Sequence, residues 1–409
     1  MKYVIIGNGT AAIACIEGIR SVDTEGDITL ISSESRHCYG RPLISYYLLG
    51  RIDEAHLDYR PRDFYIKNNV DAMLGVTAIK VDPASKAVTL EDGTSVPYDK
   101  LLIATGSRPF VPHADGYENV ENRFTFMTYD DMKALEAKLS PDARVLVVGA
   151  GLIGLKCVEG ILDRVKEVTV VDLADRIMPS VLDAEGAAMV KKVLDKKGVT
   201  FFLSDCVSAY RDNTAILRSG KEIPFDIVVT AVGVRPNTDL AKGAGCDVNR
   251  GVIVDERCET SVKDIYCAGD CSEGYDRSIN AKRILALLPN ASFQGRCAGI
   301  NMAGGDEKFT NAIPMNAMGF FGCHELSAGA YEGECISKVT EDTYKKLYVK
   351  NGKLAGFILI NDFERAGIYT SLIRDEVPLD TVDFDLLIEK PQLLAFSAAD
   401  RKAKLARKV

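Results

Sequence analysis

Residues Gly7-x-Gly9-x-x-Ala12 and Gly149-x-Gly151-x-x-Gly154 have the types and spacing that a bound dinucleotide requires. In such a turn the first glycine permits a tight bend and the second lets the backbone approach a pyrophosphate. The third position must be small so that the helix can pack on the strand. The pyrophosphate sits at the helix N-terminus, where free N–H groups and the helix dipole favour an anion. A carboxylate about twenty residues further on serves the ribose diol. After the second turn that group is Asp172, at the end of the apolar stretch Glu167-Val-Thr-Val-Val171. After the first it is Glu34, slightly late, with Ser32 at the more usual position, and the spacing leaves both open. One such turn is a weak signal. Two in one chain, each followed by a strand, predict two dinucleotide sites.

Asp172 also discriminates between nicotinamide cofactors. A carboxylate accepts hydrogen bonds from both ribose hydroxyls of NADH but meets like charge in the 2′-phosphate of NADPH. Like-charge juxtaposition costs several kcal/mol, and about 3 kcal/mol is roughly a hundredfold in affinity. NADH is expected and NADPH disfavoured, with Arg176 nearby as the residue able to offset the repulsion.

The elements that position these residues follow from periodicity. Tyr3–Ile6 is an apolar strand, and Ile13, Ile16 and Ile19 mark one face of the helix after it. Asp27–Ile31 predicts the next parallel strand. Arg41 stands beside the first turn, where it could pair with a phosphate or equally lie in a solvated loop, and a helix is expected from Leu43. Val70–Val81 and Lys86–Leu90 are strand-like, and Asp92-Gly93 signals a hairpin. Tyr98–Gly106 is a buried strand leaving through Arg108-Pro109. Asp226–Asn237 repeats that plan, an apolar run followed by Gly-x-Arg-Pro, so the chain carries an internal repeat. Thr260–Asp270 reads as a short strand ending in Gly269-Asp270, and Arg296–Met302 as helical. From about Thr310 short strands dominate, with a hairpin at Asn351-Gly352, then helical patterns and a basic tail (Arg401, Lys402, Lys404, Arg407, Lys408) read as a solvated helix face.

Composition narrows the class. The chain has 409 residues, 47% of them hydrophobic, which suits a globular protein of two or three domains. A net charge of −8 argues against a nucleic-acid surface. No apolar run approaches membrane length, and the strand pattern from residue 3 leaves no place for a secretory leader, so the cytoplasm is expected. The eleven cysteines include no C-x-x-C, which leaves a zinc ribbon or iron–sulfur site unsupported and predicts mostly buried thiols. The four histidines (His37, His56, His113, His324) show no metal spacing.

On these residues the chain resembles the FAD-dependent pyridine nucleotide-disulfide oxidoreductases, in particular the NADH:rubredoxin reductase and nitrite-reductase flavin-module branch. Gly7-x-Gly9-x-x-Ala12 is similar to the family's FAD fingerprint, Ala104-Thr105-Gly106 to its A-T-G motif, and Gly149-x-Gly151-x-x-Gly154 with Asp172 to its NADH fingerprint. Thr260-Ser-Val-x-x-Ile-Tyr-x-Ala-Gly-Asp270 is similar to the second FAD motif, whose aspartate hydrogen-bonds the ribityl chain, and Arg41-Pro42 to a pair near the flavin phosphates. The resemblance implies an α/β fold with two Rossmann-like three-layer dinucleotide-binding domains and a small α+β C-terminal domain. Residues 1–112 and 245–308 would bind FAD, 113–244 NADH, and 309–409 would cover the flavin or form a dimer interface. It further implies FAD contacts from Thr10, Ala11, Glu34, Val76, Arg108 and Gly269, and NAD contacts from Leu152, Ile153 and Gly233.

The departures shape the expected activity. Relatives that reduce peroxide, oxygen or disulfides carry a redox cysteine after the flavin loop. Here Pro42 falls at that place and Cys38 lies four residues early. Lys156 stands where relatives have a glutamate close to the nicotinamide, and Glu159 is available one turn on. Tyr46 stands where ferredoxin reductases often have lysine. The resemblance thus implies hydride transfer from NADH to flavin, then electron transfer to a rubredoxin, a ferredoxin or a complex subunit. The competing readings are an oxidase or peroxide/disulfide reductase using Cys38, and a non-catalytic flavoprotein. Cys267 and Cys271 flank Asp270 and read as small buried residues of a tight turn, with a redox pair as the alternative.

Overall fold

Apolar strands that run into glycine turns build two parallel sheets in the computed structural model, which describes residues 1–406. The chain divides into two units, one of residues 1–180, 187–274 and 282–309, the other of 181–186, 275–281 and the residues from 310 on.

In the first unit, Lys2–Ile6 is the central strand of a five-stranded parallel sheet. The order is Ile265–Cys267, Lys100–Ile103, Lys2–Ile6, Asp27–Ser32, Val70–Leu74. Val4 and Ile5 are buried on opposite faces, as a parallel strand covered on both sides requires. Ile13, Ile16 and Ile19 of the helix Thr10–Arg20 are fully buried in the core of one face. The helix Leu288–Met302 crosses this helix at close range, because a Cβ on Gly299 would stand 2.2 Å from the Cys15 carbonyl oxygen. It begins eight residues before the helical pattern read from the sequence, with Pro289 in its first turn, where a missing N–H costs nothing.

The second sheet repeats the first. Its order is Thr200–Leu203, Glu167–Asp172, Arg144–Val148, Ile227–Thr230, Arg123–Phe124. Each sheet is accompanied by a three-stranded antiparallel meander, Ala78–Asp82 with Ala87–Leu90 and Ser95–Pro97, and Val207–Arg211 with Thr214–Leu217 and Glu222–Pro224. The stretch 70–81 is therefore two strands, parted at Gly75, whose φ of +73° turns the chain. The two Gly-x-Arg-Pro exits pair with each other. Ser107–Pro109 runs antiparallel to Val234–Pro236 with Arg108 opposite Arg235. Asn237 N donates to Gly106 O at 2.9 Å, and Phe110 N donates to Gly233 O at 2.9 Å.

The second unit is built on a five-stranded antiparallel sheet, ordered Met315–Phe320, Cys323–Gly329, Lys353–Ile360, Tyr344–Lys350, Glu334–Val339. Asn351 and Gly352 both have positive φ, +53° and +68°, as a two-residue hairpin needs. Leu347, Phe357 and Leu359 meet Tyr369 and Leu372 of the helix Gly367–Arg374 in one core. On the strand Tyr344–Lys350, the Tyr344 hydroxyl and the Lys346 ammonium both donate to Asp183 Oδ2 at 2.7 Å, fixing the segment 181–186. The last helix is Ala398–Ala406, with Arg401 half-buried and Lys402 exposed. Arg407 and Lys408 of the basic tail lie outside the described residues. Among the described residues no helix is long and apolar enough to cross a membrane.

Candidate functional site

The first glycine turn is shaped by contact rather than by propensity. Gly7 has a φ of +121°, and a Cβ there would stand 2.1 Å from the Ala104 carbonyl oxygen. No other residue fits. At Gly9 nothing lies within 4 Å of a Cβ position, so the backbone faces open space. The first helical bond runs from Ile13 N to Gly9 O at 3.1 Å, which leaves the earlier N–H groups of the helix for an anion.

That open face belongs to a cavity of about 510 Å³. Of the residues read from the sequence, it brings together Gly7, Gly9, Thr10, Ala11, Glu34, Arg41, Val76, Ala104, Thr105, Gly106, Gly269 and Asp270. Three others are placed outside its lining. Ala12 is fully buried behind the turn, Pro42 caps the helix Leu43–Leu48, and Arg108 lies in the paired exits with its guanidinium 2.8 Å from Asn237 Oδ1.

The cavity is polar at identifiable points. Glu34 is held on both oxygens, accepting from the Tyr39 hydroxyl at 2.7 Å and forming an ion pair with Arg41. Tyr39 in turn accepts from Tyr129 N at 2.9 Å. Ser32 also lines the cavity, and its hydroxyl accepts from Glu34 N at 3.2 Å, so the two residues left open by the spacing lie together at one strand end. Arg41 lines the cavity with one amine on Glu34 and the other 3.4 Å from Met127 O, its side chain 38% exposed. Asp270 accepts from the Ser107 hydroxyl at 3.0 Å. Burial pushes its carboxyl up, against that bond and the Arg41 charge. An open glycine face, a helix N-terminus and the Glu34 and Asp270 carboxylates in one cavity fit a flavin dinucleotide.

The second turn repeats the geometry. Gly149 has a φ of +117° with a Cβ position 2.3 Å from Ala231 O, Gly151 faces open space, and a Cβ on Gly154 would meet Gly149 O at 2.0 Å. Leu152 and Ile153 open the helix Leu152–Ile161. Asp172 is oriented by backbone, its Oδ2 accepting from Ala150 N at 2.6 Å and its Oδ1 from Ala174 N at 2.7 Å. Arg176 is paired with Asp175 at 2.8 Å. Gly233, with a φ of +112°, carries the carbonyl that receives Phe110 N.

Lys156 lies on the same helix, its side chain 13% exposed, in an ion pair with Glu159, which is 2% exposed. Its ammonium sits 4.5 Å from the ring centre of Tyr46, so the two departures at positions 46 and 156 touch each other. Cys38 is 1% exposed, with its sulfur 3.6 Å from His37 Nε2, and burial pushes its thiol up. It is not part of the cavity lining, in which no cysteine occurs. Among the described residues no group of three His, Cys, Asp or Glu side chains gathers as for a metal ion.

Sequence reading missed Tyr39, Ser107 and Asn237 as cavity residues. Asn237 Nδ2 donates to Thr105 O at 2.9 Å and the Thr105 hydroxyl donates to Asn237 O at 2.7 Å. The signal for it was available, because Asn237 directly follows the repeated Gly-x-Arg-Pro exit.

Comparison with known proteins agrees with this geometry. Residues 1–295 match the family model described as pyridine nucleotide-disulphide oxidoreductase, and residues 314–377 that of the rubredoxin NAD+ reductase C-terminal domain. The chain is 30% identical over 387 residues to the NADH-dependent phenylglyoxylate dehydrogenase subunit epsilon of Aromatoleum evansii, covering 91% of each. It is 29% identical over 368 residues to the NADH-rubredoxin oxidoreductase of Clostridium acetobutylicum, covering 88% of this chain and 91% of that one. Among solved structures it superposes on an NAD-dependent persulfide reductase from A. fulgidus with a TM-score of 0.87 at 28% identity, covering 98% and 80% of the two chains.

Proposed function

Because this chain belongs to the pyridine nucleotide-disulphide oxidoreductase family, we propose that it holds FAD in the 510 Å³ cavity and NADH at the second glycine turn. We read it as passing electrons from NADH to a small redox protein of the rubredoxin or ferredoxin class, or to another subunit of a complex. When bound, the flavin would supply a hydride acceptor that can release its electrons singly. The protein's part is orientation and electrostatics. The turn at Gly7 and Gly9 takes the pyrophosphate, Glu34 a ribose, and Asp270 the ribityl chain. Arg41 offsets the carboxylates. At the second site Asp172 takes the nicotinamide dinucleotide's ribose.

One observation carries the choice of acceptor: the cavity lining contains no thiol, and Cys38 is buried away from it. A thiol-based half-reaction on peroxide or disulfide has no group to run through there. The names of the Clostridium oxidoreductase and the Aromatoleum subunit support a carrier protein or a complex subunit as the acceptor. A cytoplasmic setting belongs to the same reading, supported by eleven free cysteines, which persist in reducing compartments.

The test is anaerobic. NADH should bleach the flavin band, and rubredoxin or ferredoxin added afterwards should restore it while becoming reduced. Flavin that stays oxidised under excess NADH removes the reading, as does fast peroxide turnover with no carrier reduced. The preference for NADH rests on the fixed Asp172 carboxylate. Asp172→Ala should shrink the NADH/NADPH ratio of kcat/KM by at least about tenfold, the equivalent of ~1.4 kcal/mol of lost repulsion. An unchanged ratio would place the discrimination elsewhere.

A further inference from the structure

Asn8 stands at the open position of Gly7-x-Gly9 and lines the cavity with both glycines. Its side-chain amide is held by the protein. Oδ1 accepts from the Tyr65 hydroxyl at 2.7 Å, and Nδ2 donates to Arg36 O at 3.1 Å. The Tyr65 hydroxyl accepts in turn from Cys38 N at 3.1 Å, so its single proton and its oxygen join two separate segments. Tyr65 lies on the short helix Phe64–Lys67, 8% exposed, its ring edge-on to His37 with 4.8 Å between centroids. Burial holds its phenol above the ordinary range, so the hydroxyl keeps the proton it donates.

The segment 36–41 is thereby tied to two parts of the first site. Arg36 and Cys38 bind it to the glycine turn through Asn8 and Tyr65, while Tyr39 and Arg41 hold Glu34. Its middle is fixed by Tyr59 N donating to Cys38 O and Gly40 N donating to Leu57 O, both at 2.9 Å. The turn follows the strand Lys2–Ile6 and Glu34 follows the strand Asp27–Ser32. Tyr65 comes from a third element, does not line the cavity, and joins the two.

We propose that Tyr65 is a positioning residue for FAD, its hydroxyl setting the glycine turn and Glu34 at the separation that one dinucleotide spans. The proposal rests on the reading that the cavity holds FAD. Tyr65 acts through Asn8 on the turn assigned to the pyrophosphate, and through Cys38 on the segment that holds the carboxylate assigned to a ribose. A ligand gripped at two points binds more tightly when their spacing is set beforehand, because binding then orders less of the protein. Without the hydroxyl, Asn8 Oδ1 and the buried Cys38 N–H lose their shared partner, and the turn and the segment relax apart.

The test is titration of FAD-depleted protein with FAD. Tyr65→Phe keeps the ring and removes only the hydroxyl, and should raise the Kd for FAD at least about tenfold. Combined with Glu34→Gln, the loss should be smaller than the product of the two single losses, because the first change has already released the segment that aims Glu34. A hydroxyl that served the fold alone would lower the melting temperature of the FAD-depleted variant and leave its Kd unchanged. That result overturns the positioning role, as do single losses that multiply. If Tyr65→Phe does not fold, Asn8→Ala removes the acceptor of the same hydroxyl and is read by the same titration. Wild type that binds no FAD overturns the proposed function. Wild type that binds FAD beside a Tyr65→Phe variant of equal Kd overturns the positioning alone.

Discussion

Two carboxylates show how environment decides what a residue does. Asp172 has both oxygens on backbone amides, which fix the carboxylate that the proposed function assigns to a ribose. Glu325, on the strand Cys323–Gly329, is fully buried, and among the described residues no group lies in good hydrogen-bonding geometry to either of its oxygens. Burial pushes Glu325 up to about 8. The sign follows from proton counting. Below about pH 4.5 the group is protonated whether the chain is folded or not. Between there and pH 8 only the unfolded chain releases its proton, so stability falls by about 1.4 kcal/mol per pH unit, then levels off. Urea denaturation of Glu325→Gln should lack that slope and show a more stable protein at pH 8. An identical slope in the variant would assign it to other groups. At this scale the sequence was legible where a local backbone demand fixes the residue, as at Gly7 and Gly149. It was silent on Tyr39, Ser107 and Glu325, whose roles depend on partners or burial far away in sequence.

Elements were legible when their pattern was self-contained. Apolar runs gave the central strands and Asn351-Gly352 gave the hairpin, whereas Leu288–Met302 begins at Leu-Pro, which reads as a loop until the helix is seen crossing Thr10–Arg20. The short helix Leu43–Leu48 was foreseen, but not its work. It packs on Leu152–Ile161 so closely that a Cβ on Gly160 would stand 3.2 Å from Leu48 Cβ. Tyr46 covers Lys156, and Lys133 reaches both the Tyr47 hydroxyl at 3.1 Å and Glu136 at 2.6 Å. One helix therefore leads from Arg41 at the first site to the helix that opens the second. Lys156→Met strips a cation from the buried Glu159 and should cost about 3–5 kcal/mol in urea denaturation. Lys156→Met combined with Glu159→Leu should recover most of it. Equal losses in the single and double variants would show that packing, not charge, holds this contact.

On the scale of the whole molecule, the repeat foretold two similar halves, and the two parallel sheets with their meanders bear this out. Long-range pairing could not be foretold, because nothing local marks which exit meets which. The flavin reading adds a thermodynamic expectation. A cofactor that binds only the folded chain stabilises it by about 2.7 kcal/mol at a hundredfold excess over its Kd. Melting of FAD-depleted protein should therefore rise with added FAD, and a melting temperature indifferent to FAD would remove the cavity from consideration. The pairing of Ser107–Pro109 with Val234–Pro236 sets a rule for gene shuffling. Each half closes on the other's outgoing strand, and Asn237 serves the first half from the end of the second. A chimera that imports residues 113–244 from a relative would bring that relative's strand, and its residue at position 237, to Ser107 and Thr105 of this chain. Crossover points are therefore compatible only when both exits, 105–110 and 233–237, come from one parent.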